Sequence, residues 1–241
     1  MEVEPQNATL PDAQGAGVPA LTAALRRATP AVTAGTLTGT LVLAGACWII
    51  AVWQMPGMDM GTATQLGSFG GFIAVWAAMM AAMMLPGAAP ALLRRAHAGG
   101  VRAVPLFAGS YLAVWVLAGV VVYAVDRPHG ALIAGTVTVA AGVYEFTPVK
   151  KHFRRLGRAS TGSGFRFGLC CAGSTIGLMA MLAALGTMSI TWMAMITVLA
   201  CAQKLLPPKA VIDAPLAVAI IGLGAWIVIA PASVPGLVPS M

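Results

Sequence analysis

The chain has 241 residues, of which 59% are hydrophobic and 9% charged, and its formal net charge is +7. Soluble domains are about 45–50% apolar and about 25% charged, so an ordinary soluble domain is excluded and a membrane protein is indicated. A basic balance of this size would suit a nucleic-acid partner in a soluble protein, but here the placement of the charges gives another answer.

In chain order, residues 1–34 are rich in Pro, Ala, Thr and Gly and hold no apolar block. They lack the short basic start and apolar core of a secretory signal, and read as a disordered cytoplasmic tail. Seven apolar runs near the ~20 residues that cross a bilayer follow. They cover about 35–53, 67–85, 104–125, 130–147, 167–186, 188–206 and 211–230. The fifth and sixth are parted only by Gly186 and Thr187 and predict a tight hairpin. Residues 231–241 read as a short outer tail. The expected fold is all-α: a polytopic membrane helix bundle over 35–230 with about seven transmembrane helices.

Retained cytoplasmic loops are enriched in Lys and Arg. With the N-terminus inside, the inner segments hold Arg26, Arg27, Arg94, Arg95, Arg102, Lys150, Lys151, Arg154, Arg155, Arg158, Arg166, Lys204 and Lys209. The outer segments hold only Arg127. The chain is therefore expected to run from an inner N-terminus to an outer C-terminus. Its positive charge then reflects topology, with the lipid bilayer as partner and no nucleic acid.

Chemistry-bearing residues gather at three places. The outer segment "WQMPGMDMG" carries Met55, Met58 and Met60 beside Asp59, with Pro56 and Gly57 to turn the chain. M-x-x-M-x-M in a short loop resembles copper-collecting loops, although an interfacial loop anchored by Trp53 also fits. His129 belongs to the same outer side.

The second place is "WAAMMAAMMLP", where Met79 with Met83 and Met80 with Met84 form i, i+4 pairs, each stacked on one helix face. Thioethers are soft donors suited to Cu(I), and M-x-x-x-M on a membrane helix resembles eukaryotic-type copper importers. Gap filling by Met beside Ala that lets helices approach is the competing reading. Trp76 continues the Met80–Met84 stripe and favours that pair as the one facing the bundle.

The third place is the inner end of the later spans. There the topology sets Glu145, Cys170, Cys171, Cys201, Gln203 and Lys204 at the depth of the methionine block. An ionisable residue such as Glu145 within a span faces the bundle interior or a partner; reaching out to Lys150 or Lys151 is the alternative. Buried cysteines act as soft ligands or as small hydrophobes. These three thiols and Cys47, the four cysteines of the chain, are expected to be free, since none lies in an outer loop. Gly173-x-x-x-Gly177 predicts close helix approach, and Gly35-x-x-x-Gly39 serves internal packing or a dimer.

Taken together, these blocks resemble the bacterial domain-of-unknown-function family 2182, described as predicted metal-binding integral membrane proteins. The family's W-x-x-M-x-x-A-M-M-x-P block is matched by "WAAMMAAMMLP". Its A-G-x-Y-Q-x-T-P-L-K with a basic loop is matched by "AGVYEFTPVKKHFRRLGR". Its Gly/Cys-rich helix, G-x-M turn and E-K pair before Pro correspond to "FGLCCAGSTIGLM", "LGTMSITWM" and "AQKLLPP". The resemblance spans about residues 35–210. Two positions depart from it: Glu145 stands where the family has Gln, and Gln203 where it has Glu. The carboxylate has in effect moved between spans, and a swap between facing helices would explain it. Cysteines common in the family's basic loop are replaced here by residues such as His152 and Arg155.

The resemblance implies a bacterial metal-binding membrane protein. With the soft Met and Cys donors, the expectation is an inner-membrane protein binding a soft metal, Cu(I), that takes part in copper uptake, storage or delivery. Met55, Met58 and Met60 would collect the ion. Met79, Met80, Met83, Met84, Cys170, Cys171 and Cys201 would supply the core donors, with Glu145 as charge partner. The competing reading is a structural or assembly subunit that docks a membrane metalloenzyme or metallochaperone through its basic inner loop. An enzyme is not expected. A thiol oxidoreductase lacks its C-x-x-C, and no phosphate-binding loop supports ATP-driven pumping.

Overall fold

In hydrocarbon a chain must satisfy its own N–H and C=O groups, and a helix does so within one segment. The computed structural model describes residues 30–54, 68–125, 130–160, 162–186, 189–205 and 210–231. Its helices, in chain order, are α1 (Pro30–Gln54), α2 (Phe69–Gly99), α3 (Ala103–Val125), α4 (Ala131–Phe146), α5 (Pro148–Ala159), α6 (Gly164–Leu185), α7 (Ile190–Leu205) and α8 (Ala210–Ile229). No strand occurs among the described residues, and the fold is the expected all-helical membrane bundle. Met55, Met58, Met60, Asp59 and His129 lie outside the described residues.

Seven of these helices coincide with the seven apolar runs. By length and composition α1, α2, α3 and α6 can each cross a membrane, and α4 with α5 makes a fifth if that bent pair is one span. α7 and the apolar part of α8 are shorter; 16 residues of α7 reach about 24 Å at 1.5 Å per residue.

Two boundaries differ from expectation. α2 does not stop at residue 85 but continues to Gly99 through Pro86 and Pro90, carrying Arg94 and Arg95 on its last turns. Each proline removes one helical donor, yet Leu85, Ala88, Ala91, Leu92 and Leu93 are buried there, so tertiary packing holds the extension. The basic segment after α4 is a helix, not a loop. Thr147 closes α4 and caps α5, accepting from the Lys150 N–H, and Pro148 opens α5 where its missing donor costs nothing. The axis bends by 63° at this joint. α5 buries Lys150 and Gly157 against the bundle while Lys151, His152 and Arg155 stay exposed, so we place it outside the membrane-spanning segments.

Glycines set the helix neighbours. α4 lies closest to α8: a Cβ on Gly142 would sit 2.9 Å from the Ile221 nitrogen, and one on Gly224 2.6 Å from the Val139 nitrogen. Gly168 of α6 receives Val114 of α3, Gly173 receives Phe153 of α5, and Gly177 meets the Ala141 carbonyl of α4. The Gly173–Gly177 pair thus serves two neighbours at once. Gly35 and Gly39 have nothing within 4 Å, so they serve no internal packing. α1 instead turns Thr33, Thr36, Thr40, Ala44 and Ala51 inward against α2, leaving Leu41, Val42 and Ile49 exposed on the bundle's outside. α2 packs against α1, α3 and α7 and is the most enclosed helix.

Candidate metal centre

The enclosure of α2 decides the fate of its methionines. Met79, Met80, Met83 and Met84 are all fully buried. The expectation that one i, i+4 pair would face the bundle is therefore corrected: neighbours cover α2 on both stripes. Trp76 anchors the block, donating its indole N–H to the Trp115 carbonyl at 2.8 Å across the space Gly119 leaves open. Met84 has polar company. Its Sδ accepts from Lys204 Nζ at 3.3 Å, and its carbonyl from the Tyr111 hydroxyl at 3.4 Å.

Tyr111 joins the second group of sulfurs. Its hydroxyl lies 3.4 Å from Cys171 Sγ, so one phenol bridges α2, α3 and α6. Ser174 and Thr175 both donate to the Cys171 carbonyl at 2.9 Å, returning their hydroxyls to their own helix. Cys170 is buried and sits opposite Gly157 of α5. Cys201 of α7 faces the backbone of Gly87 on α2. All four cysteines, Cys47 included, are free thiols, as expected.

Between α2, α5, α6 and α7 lies a cavity of about 110 Å³. Cys170 and Cys171 form part of its wall, and Arg94, Arg154, Arg158 and Lys204 supply its charge. Lys204 crosses Gly87, where a Cβ would come within 2.6 Å of the lysine Cδ. The glycine is what lets the ammonium reach the Met84 sulfur.

Glu145 anchors a polar knot beside this cavity. Its Oε2 accepts from Lys150 Nζ and, at 2.8 Å, from the Gln203 side-chain amide. Lys150 also donates to Gln203 Oε1 at 2.8 Å, and Glu145 Oε1 is buried with no hydrogen-bond partner. Both readings of Glu145 hold together: it faces the interior and it reaches Lys150. Burial pushes the Lys150 ammonium below its usual value while the neighbouring carboxylate pulls the other way. Arg154 ties the knot to α8, donating to Asp213 at 2.8 Å and to the Gln203 carbonyl at 2.5 Å. Positions 145 and 203, which exchange Glu and Gln relative to the resembled family, are in direct contact, as a swap between facing helices requires.

The structure thus brings together Met84, Cys171, Cys201, Lys204 and Gln203, with Cys170 and Glu145 alongside. Met79, Met80 and Met83 stand behind them in the core. Among the described residues no three of His, Cys, Asp and Glu form a metal cage. A site of three or more donors here would need thioether sulfur or a ligand that the metal brings with it; two thiolates alone could hold a two-coordinate ion. Tyr111, Arg94, Arg154 and Arg158 carry site geometry that the sequence reading did not assign. A tyrosine hydroxyl within an apolar run was the one available signal; the arginines were read only as topology.

Comparison with known proteins adds an independent finding. A family model described as "PpoB2: Copper chaperone" matches residues 73–227, a stretch that contains every residue lining the cavity. No curated protein and no solved structure matches. The match supports a copper-related family, as the ordered blocks implied, though not family 2182 by name. Spanning most of the chain from α2 to α8, it places the protein: the chain belongs to the PpoB2 copper-chaperone family.

Proposed function

We propose that the chain is an intramembrane copper chaperone that holds Cu(I) at the sulfurs around the cavity and delivers it to a membrane metalloenzyme. One observation carries this reading. Sulfur-bearing residues of three helices meet groups of one cavity: Cys170 and Cys171 line it, while Met84 Sδ touches Lys204 and Cys201 touches the Gly87 backbone, both of which belong to the same wall. Thiolate and thioether are the donors that select Cu(I) over hard cations. Cys170 and Cys171 supply thiolates, their protons leaving as metal binds, and Met84 supplies a thioether once Lys204 withdraws.

Glu145 acts through Lys150 and Gln203, holding α4 and α7 so that the sulfurs stay in register. Met55, Met58 and Met60 collect the ion on the outer side, in the bacterial inner membrane. The exposed basic face of α5, with Lys151, His152 and Arg155, suits an acidic surface on the recipient.

Elemental analysis of the full chain purified in detergent tests the proposal. Copper should co-purify, and Cys170→Ser with Cys171→Ser, or Met80→Leu with Met84→Leu, should strip most of it. Unchanged copper in both double variants would sink the assignment.

A further inference from the structure

The cavity is built for negative charge. Four cations, Arg94, Arg154, Arg158 and Lys204, line it, and no carboxylate does among the described residues. Asp213, outside the wall, pairs with Arg154 and also attracts Arg158, one carboxylate beside four cations. Arg94 Nε is buried with no hydrogen-bond partner. The remaining polar lining, Ser174, Thr175 and Gln203, adds no charge. In a site partly shielded from water such a ring repels a bare monovalent cation and attracts an anion. Yet the two thiols of the wall are donors for a soft cation. A copper site ringed by cations makes chemical sense only if copper arrives already clothed in negative ligands.

We propose that the cavity takes copper as an anionic Cu(I)–thiolate complex of a small, carboxylate-bearing thiol, and that the arginines recognise the carrier. This rests on the copper-holding reading and specifies the form of its cargo. Two thiolates around Cu(I) leave a net charge of −1. Cys171 Sγ forms a bond to copper as one carrier thiolate leaves, and the Cys171 proton passes to that thiolate. Cys170 replaces the second carrier thiolate by the same exchange. Copper remains Cu(I) throughout, and the complex stays at −1, so the same cations stabilise it before and after transfer. A cavity of about 110 Å³ is small for a whole carrier, which leaves the carrier's carboxylates at the mouth.

The test loads the full chain in detergent, without oxygen, from two sources: Cu(I)–glutathione, which is anionic, and Cu(I)–acetonitrile, whose ligands are neutral. The readout is the ratio of the two loading rates, measured by elemental analysis after desalting. In the Arg94→Gln, Arg158→Gln variant this ratio should fall about tenfold, the lower range of electrostatic steering. Arg94→Lys with Arg158→Lys, which keeps the charge, should retain it. In the unaltered chain, raising salt should slow loading from Cu(I)–glutathione by screening, which keeps the question open to measurement even if the glutamine variant does not fold. An unchanged ratio, a salt-independent rate, or wild-type loading from acetonitrile alone would overturn the inference and leave the copper-holding reading intact. Loading from neither source would overturn both.

Discussion

Gln203 donates its side-chain amide to Glu145 at 2.8 Å, joining α4 to α7 across 58 positions of sequence. Lys150 binds both partners, so one ammonium rests on a carboxylate and an amide from two helices. Removing one member of a buried pair strands the other's charge, at about 3–5 kcal/mol. Glu145→Gln should therefore destabilise the protein by about that much. Adding Gln203→Glu should recover most of the loss, because the carboxylate then returns within reach of Lys150. Chemical denaturation in detergent over the full double-mutant cycle checks this; a double variant no more stable than Glu145→Gln contradicts it.

Two glycines should respond unequally to the same added methyl. At Gly224 a Cβ would press on the Val139 nitrogen at 2.6 Å and the Gly135 carbonyl at 2.9 Å, and backbone on a packed helix cannot move aside. Gly224→Ala should cost about 1–3 kcal/mol as overpacking. At Gly87 the first atom met is Cδ of Lys204, the flexible part of a side chain. Gly87→Ala should alter stability by no more than about 0.5 kcal/mol while pushing Lys204 off the Met84 sulfur. Thermal unfolding measures the first effect. The second should appear as tighter copper retention against a Cu(I) chelator.

The charge around Cys170 and Cys171 should be visible to thiol reagents. In a Cys47→Ala, Cys201→Ala background, an anionic methanethiosulfonate should modify the cavity thiols at least about tenfold faster than its cationic analogue. Equal rates at low salt would mean that the four cations of the wall do not set the potential at the sulfurs.

Arg154 holds the short helix α7 and the start of α8 together, through the Gln203 carbonyl and Asp213. Asp213→Asn should cost about 1.5–3 kcal/mol, the range for hydrogen bonds to charged groups. Loss of hydrogen-exchange protection should concentrate in the first turns of α8. Protection lost evenly across the bundle would argue against a local clamp.

Much of this architecture was legible in the residues. Apolar runs placed seven of the helices, because length and hydropathy are properties of a segment by itself. The order of the Met, Tyr-Glu, Cys-Cys and Gln-Lys blocks carried the metal-related family resemblance. The common depth of Met84, Glu145, Cys171 and Gln203 also followed from the positions of the charges along the chain. α5 was missed although its start signal, Thr147 followed by Pro148, was present. Its basic residues read as a loop because inner loops are basic too.

What only the tertiary structure decided is which side chains face one another. A helix in lipid is apolar all around, so periodicity does not mark its inner face as it does in water. That is why "MMAAMM" could not disclose that α2 is enclosed and buries both methionine pairs. Nor could it show that Tyr111 meets Cys171, that Lys204 crosses Gly87 to reach Met84, or that arginines counted as topology surround two thiols. Sequence by itself determined which residues lie at the site's depth; packing of small residues between helices determined which of them touch.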